Sequence, residues 1–206
     1  MSICKACPEK AHFREYNSIS NVFCSRECQI KYYDIEGKTK RADEGSMSDE
    51  DDYQFVPVTR SNVKELKKLE VAEHQRHWIS NITDALAQAS FTKNWNGRVL
   101  YYGDKIVGFA SYGESYPDSD TPNHIGIFKV MIDKNYQGKG HGKMLMKFLL
   151  DDIKLFSAAH SDYPKCAYLG VNLDNTPAIN LYKKLGFKTI NVSKEHNEML
   201  LKYIFE

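Results

Sequence analysis

"YQGKGHGKMLMKFLLDDI", residues Tyr136 to Ile153, places three glycines within five residues directly ahead of a strongly apolar helical pattern. Glycine inside a helix costs up to about 1 kcal/mol relative to alanine, so three of them where a helix must start need a reason. Upstream, "HIGIFKVMID" (residues 124–133) reads as a long strand; downstream, Met144, Leu145, Phe148, Leu149 and Ile153 form the buried face of a helix. A glycine-rich turn between a strand and a helix exposes several backbone N–H groups at the positive end of the helix dipole. That arrangement suits a phosphate or pyrophosphate. Neither common nucleotide motif applies: there is no G-x-x-x-x-G-K-[ST], and G-K-G-H-G does not fit G-x-G-x-x-G.

The pattern extends outward on both sides. "YQFVPV" (residues 53–58) is a short strand, and "SNVKELKKLE" (61–70) predicts a helix capped by Ser61 with Val63, Leu66 and Leu69 on one face. A second helix is expected across Val71 to Gln88. "RVLYYG" and "IVGFASY" are strands joined as a hairpin at Gly103-Asp104. Beyond the glycine loop come the strand "AYLGV", a helix from about Asn175 that stops at Gly186, and a closing strand "EMLLKYIF". Hairpins followed by strand–helix–strand–helix predict an α/β fold: a mixed, mostly antiparallel sheet flanked by helices.

The whole chain has 206 residues, 42% of them hydrophobic, and a formal net charge of +1. That supports one packed domain with a small appendage, and argues against a nucleic-acid partner sought by long-range attraction. No apolar run is long enough to span a membrane, and "MSICKACPEK" lacks the apolar core of a signal peptide. The expected setting is the cytoplasm, with the nucleus left open, where thiols stay reduced. Cysteines there point to metal or to burial. Cys4, Cys7, Cys24 and Cys28 follow C-x2-C-x16-C-x3-C, two thiolate pairs suited to one tetrahedral structural zinc ion. "FCSREC" followed by "QIKYY" resembles the second half of a treble-clef finger of the FCS, MYM or MYND type, although MYND needs two zinc sites and these cysteines supply one. His12 lies outside either pair, and Cys166, in an apolar strand, reads as a core residue. Residues 34–52 hold eight acidic and three basic residues and no aromatic, the composition of a flexible linker. The predicted organisation is a zinc-binding module at 1–33, the acidic linker at 34–52 and a catalytic domain at 53–206.

"Q-G-K-G-H-G", Gln137 to Gly142, fits Q-x-x-G-x-G, and "N-T-P-A-I-N-L-Y-K-K-L-G-F", Asn175 to Phe187, follows about 30 residues later. Together, with "YLGVN" between them, they resemble the GNAT superfamily of acyl-CoA-dependent N-acetyltransferases. The resemblance implies acetyl-CoA as co-substrate. It implies that the backbone of Val130, Met131 and Ile132 pairs with the pantetheine arm and steadies the acetyl carbonyl. It places Gln137, Gly138, Lys139, Gly140, His141, Gly142 and Lys143 around the pyrophosphate, and Asn175 and Tyr182 near the thioester. His141 stands where an aliphatic or aromatic residue is common, so its backbone is expected to serve while its side chain faces solvent.

"VAEHQRHWISN", "ALAQA", "VMIDKNYQGKGHGK" and "AINLYKKLGF" are similar to the bacterial spermidine and diamine acetyltransferases, the E-x-Q and A-L-A-Q-A parts belonging to that subgroup. The implied acceptor is a small polyamine or diamine. An alkylamine with a pKa of about 10.4 is almost wholly protonated at pH 7 and cannot attack, so a base must take its proton and an acid should protonate the departing thiolate. Tyr182 resembles the family's acid. Glu73, within the subgroup motif, is the preferred base; Glu114 and the "ESYPDSD" loop are the other acidic candidates. An alternative stands beside this one: a protein acetyltransferase acting on lysine or an N-terminus, with the zinc module docking a protein partner. Both a monomer and a homodimer remain open.

Overall fold

The computed structural model describes residues 52–115, 124–160, 163 and 165–205. The cysteines Cys4, Cys7, Cys24 and Cys28, the acidic linker and most of the "ESYPDSD" loop lie outside the described residues.

Seven strands form one sheet: β1 (Tyr53–Pro57), β2 (Asn96–Tyr102), β3 (Lys105–Ser115), β4 (His124–Ile132), β5 (Cys166–Asn172), β6 (Lys188–Ser193) and β7 (Glu198–Ile204). Their order is β1-β2-β3-β4-β5-β7-β6. Every neighbouring pair is antiparallel except β4 and β5. The β2–β3 hairpin turns at Gly103, whose φ of +57° is the left-handed conformation that glycine adopts without strain.

Helix α3 (His141–Ala159) and helix α4 (Thr176–Lys184) cover one face of the sheet. Leu145, Met146, Leu149 and Ile153 of α3 are fully buried against Leu100, Val107 and Ile125 of the strands. The helical periodicity anticipated Leu145, Leu149 and Ile153 on this face; Met144 and Phe148 are only half-buried, and Met146, not expected there, is fully buried. Arg98 of β2 and Asp152 of α3 form a buried bidentate pair, 2.7 and 3.2 Å, to which the Tyr112 hydroxyl donates at 2.8 Å. On the other face, α1 (Val63–Leu66) and α2 (Ile82–Gln88) bring Leu66, Ile82 and Ala85 onto Trp95, Val99, Phe109 and Met131.

The helices on this second face differ from expectation. The chain at 61–70 makes one α-helical turn only, because Lys68 N–H and Leu69 N–H bond three residues back, to Glu65 and Leu66. Ser61 bonds Thr59 instead of capping, and Asn62 takes the cap position. The continuous helix expected from Val71 to Gln88 is broken: a 3₁₀ turn occupies Glu73–Gln75, and α2 starts afresh at Asn81, whose side chain accepts the Asp84 N–H at 3.0 Å. Strand β6 was not anticipated. Its apolar alternation is limited to Ile190 and Val192, both about half-exposed, so it presents no buried face.

Candidate active site

The site begins with a defect in the sheet. Ser111 pairs with Lys129 and Tyr112 with Ile127, so Phe128 is an extra residue, a bulge in β4. On its other edge β4 meets β5 only at Ile125–Ala167 and Gly126–Tyr168. Past the bulge the two parallel strands separate, leaving a gap toward their carboxyl ends. Asp133 N–H bonds to the Val107 carbonyl at 2.9 Å. Antiparallel pairing alternates, so Met131 two residues earlier also turns its polar groups to β3, while those of Val130 and Ile132 face the gap. The Ile132 carbonyl accepts the Gln137 amide at 3.0 Å. Of the three residues expected to meet a pantetheine arm, Val130 is the one whose backbone opens most directly onto the gap.

The glycine loop follows. Gly138 and Gly140 have φ of +75° and +90°, and no atom lies within 4 Å of where a Cβ would stand on either. Both glycines are demanded by the backbone, and both border open space. Gly142, by contrast, has ordinary room, with Leu181 of α4 at 3.6 Å from its would-be Cβ. Gly140 is the N-cap of the 19-residue helix α3, its carbonyl taking Lys143 N–H and Met144 N–H. The amides ahead of Lys143 therefore precede the helical hydrogen-bond ladder at the positive end of its dipole. The Lys143 side chain is exposed nearby; that of Lys139 folds back to the Asn135 carbonyl at 2.8 Å and lies over the Tyr136 ring. This loop fits a pyrophosphate.

His141 departs from expectation. Its ring is buried, 5% exposed, rather than solvent-facing. Tyr53 Oη lies 2.6 Å from its Nδ1, and the rings of Tyr53, Tyr102 and Tyr136 surround it. Burial first, and then the nearby Lys139 charge, lower its pKa and keep it neutral. The cage comes from β1, β2 and the loop itself, none of which a local reading of "KGHGK" reveals.

Tyr182 is buried on α4, beside Phe187. Burial raises its phenol pKa well above the ordinary value, so it stays protonated. Its hydroxyl makes no hydrogen bond among the described residues. The Asn175 side chain caps α4 by accepting Ala178 N–H at 3.3 Å, which makes it a positioner of the helix that carries Tyr182.

Both side-chain N–H groups of Gln137 are engaged. The residue exchanges two hydrogen bonds with Gln75, 2.9 and 2.8 Å, besides reaching Ile132.

The opposite wall is built of loops. Glu73 is 80% exposed and paired with Arg76 at 3.1 Å. Glu114 is buried away in a different network, accepting the Tyr163 hydroxyl at 2.7 Å and pairing with Lys93 at 3.2 Å. A cluster not anticipated from sequence stands just past β5: Asp174 meets His77 Nε2 at 3.1 Å and the Asn197 amide at 3.4 Å. The Trp78 indole N–H is buried nearby and meets no hydrogen-bond criterion among the described residues. His77, then Trp78, hold the Asp174 carboxyl below the usual carboxylate range. An ionised Asp174 makes His77 Nε2 the donor of that bond. Glu198 on β7 lies across Gly170, with its carboxylate where a Cβ of residue 170 would be. Lys129 of β4 reaches the same wall. Its ammonium meets the Ser80 carbonyl, the Ser80 hydroxyl and the Asn81 carbonyl at 2.5, 2.7 and 3.0 Å, and burial lowers its pKa to about 8.

Cys166 is buried in β5, as expected. Among the described residues no group of His, Cys, Asp and Glu could hold a metal ion, and no helix is long and apolar enough to cross a membrane.

Comparison with known proteins agrees with this geometry. The sequence pattern of the acetyltransferase (GNAT) family matches residues 49–187. The probable spermine N(1)-acetyltransferase of Bacillus subtilis subsp. natto (strain BEST195) is 33% identical over 136 residues, covering 64% of this chain and 84% of that protein. The spermine/spermidine N(1)-acetyltransferase of Bacillus subtilis (strain 168) is 32% identical with the same coverage, 64% and 84%. Among solved structures, Arabidopsis thaliana Naa50 in complex with the bisubstrate analogue CoA-Ac-MVNAL gives a TM-score of 0.51 at 20% identity, over 75% of this chain and 99% of that one. The smu.2055 protein of Streptococcus mutans UA159 gives 0.57 at 23% identity, over 74% and 99%. These two likenesses bear on the fold. Bulged β4, split sheet, glycine loop and family match converge: the chain belongs to the GNAT family and is an acetyl-CoA-dependent N-acetyltransferase.

Proposed function

We propose that the acceptor is a primary amine of a polyamine or diamine, attacked onto the acetyl group directly, without a covalent enzyme intermediate. The observation that carries this reading is the half-exposed carboxylate of Asp174 beside the mouth of the β4–β5 gap, with His77 bonded to it and the Glu198 carboxylate on the adjoining strand. The likeness to spermine and spermidine acetyltransferases supports it.

In this reading the amides of Gly138 to Gly142, with Lys139 and Lys143, bind the pyrophosphate, and the backbone of Val130 and Ile132 orients the pantetheine arm and the acetyl carbonyl. His77 Nδ1, directly or through one water, takes the proton from the amine, and Asp174 stabilises the imidazolium that forms. The amine nitrogen bonds to the acetyl carbon as the carbon–sulfur bond breaks. Tyr182 gives its phenolic proton to the departing sulfur. Glu73, in solvent and paired with Arg76, suits a distal ammonium of the acceptor better than proton abstraction.

The test is a comparison of spermidine, spermine and putrescine with lysine-containing peptides, acetyl-CoA being saturating. Polyamines should win by more than tenfold in specificity; peptides winning by that margin would transfer the assignment to a protein acceptor. That second reading is favoured by the cysteine pattern alone. We assign one zinc ion per chain to Cys4, Cys7, Cys24 and Cys28 in a module at 1–33, separated by the linker at 34–52 from the catalytic domain at 53–206. Metal analysis of a Cys24→Ser variant should show lost stoichiometry; full retention rejects this ligand set.

A further inference from the structure

Segment 70–81 is attached to β4 and its loop at three successive points. Lys129 holds the carbonyls of Ser80 and Asn81. Asp133 accepts the Glu70 N–H at 3.1 Å, Lys134 N–H bonds the Glu70 carbonyl at 2.7 Å, and their side chains form an ion pair at 2.7 Å. Nearest the glycines, Gln75 and Gln137 clasp each other through two reciprocal amide bonds. The Gln75 oxygen also accepts the Ala72 N–H at 3.1 Å, closing the 3₁₀ turn, and the Gln137 nitrogen also holds the Ile132 carbonyl at the edge of the gap. Both side chains are half-buried.

Every donor and acceptor that Gln137 directs at Gln75 is therefore answered, and its amide has little left to offer a phosphate. Its work is to brace. The residue two places past Gln75 is His77, and the residue after Gln137 is Gly138, so the clasp joins the wall carrying Asp174's partner to the first glycine of the anion loop.

We propose that Gln75 is a positioning residue that couples the acetyl-CoA loop to the acceptor wall: it holds the loop through Gln137, and an ordered loop in turn fixes the turn that presents His77. Coupling of this kind is reciprocal. It holds whichever amine is the acceptor, and it gives the Gln of the E-x-Q motif a physical task that contact with neither substrate would supply.

The test uses the full chain and acetyl-CoA alone, with no acceptor present. Gln75→Met keeps length and volume but removes both amide bonds, and Gln137→Met removes them from the other side together with the bond to the Ile132 carbonyl. Each should weaken acetyl-CoA binding by calorimetry about threefold to tenfold, and the double variant should be no more than about twofold worse than the weaker single, the non-additivity expected of one shared contact. Amide hydrogen exchange across residues 72–78 should slow on adding acetyl-CoA to the parent and should not respond in Gln75→Met. Parent-like affinity in Gln75→Met, effects that multiply in the double variant, or a 72–78 response that survives the substitution would each overturn the coupling. Should Gln75→Met fail to fold, Gln75→Asn, whose amide is one methylene too short to span the pair, carries the same measurements. A failed polyamine assignment leaves these outcomes untouched.

Discussion

The two walls of the active site are made of different material. The acetyl-CoA wall is backbone: a bulge at Phe128, strand edges at Val130 and Ile132, two left-handed glycines and the first turn of α3. The acceptor wall is side chain on loop: His77 on a turn after a 3₁₀ segment, Asp174 between β5 and α4, Asn197 at φ +52° in the β6–β7 turn. A backbone site is specified by chain conformation and tolerates variation in side chains, as the neutral buried His141 demonstrates. A loop-borne site depends on distant residues arriving together, and it is where acceptor specificity is free to change. The first wall carries the glycine loop that marks the family, and in the proposed reading the second selects the amine.

The sharpest way to probe that division is at its seam. Tyr182→Phe removes one proton donor and no binding contact, so turnover should fall on the order of a hundredfold while acetyl-CoA affinity stays within about twofold. A turnover loss below about twofold would remove Tyr182 from the reaction. On the backbone wall, Gly140→Val forces a β-branched residue into φ +90° and places methyls in open space facing the loop. Left-handed backbone costs roughly 1–2 kcal/mol for such a residue, so acetyl-CoA affinity should drop about tenfold by calorimetry with helical circular dichroism retained. Unchanged affinity in a folded variant would defeat the pyrophosphate reading.

On the acceptor wall the expected change is smaller and of another kind. Asp174→Asn should lower kcat/KM for spermidine about fivefold, leave acetyl-CoA affinity alone, and flatten the salt dependence of the parent, since exposed charge pairs are screened over about 8–10 Å at physiological ionic strength. Equal salt slopes in the two proteins would show that this carboxylate does not meet the polycation. The smallest effect belongs to His141. Its folded pKa lies below the unfolded value of about 6.5, because burial disfavours the imidazolium. The unfolded chain therefore binds the extra proton, and the contribution present above pH 6.5 is lost as pH falls through the folded pKa. His141→Phe keeps an aromatic ring in the cage and should be less sensitive to acid below pH 6.5 in thermal unfolding; an identical pH profile would exclude His141 as the titrating group.

Several elements could be read from the chain because their signals are short-range. The β4–loop–α3 unit, the Gly103 hairpin, the cap at Asn175 and the stop at Gly186 each follow from residues within a few positions of one another. The helices of the second face could not. Val63, Leu66 and Leu69 have helical spacing, yet one α-helical turn followed by i→i+3 bonds brings the two leucines into the core equally well. Glu73 matched a motif, but burial and pairing, which decide what a carboxylate can do, are properties of its surroundings.

What the sequence alone determined is the family and the glycine loop, since left-handed glycines, helix caps and periodic apolar faces are local consequences of residue type. Tertiary structure decided the rest: the burial of His141 in a cage drawn from β1, β2 and its own loop, the clasp of Gln75 on Gln137 across 62 positions, and the meeting of His77 with Asp174 across 97. The physical reason is one of range. A hydrogen bond reaches about 3 Å, and only the folded sheet, bulged at Phe128 and parted between β4 and β5, brings residues so far apart in the chain within that reach.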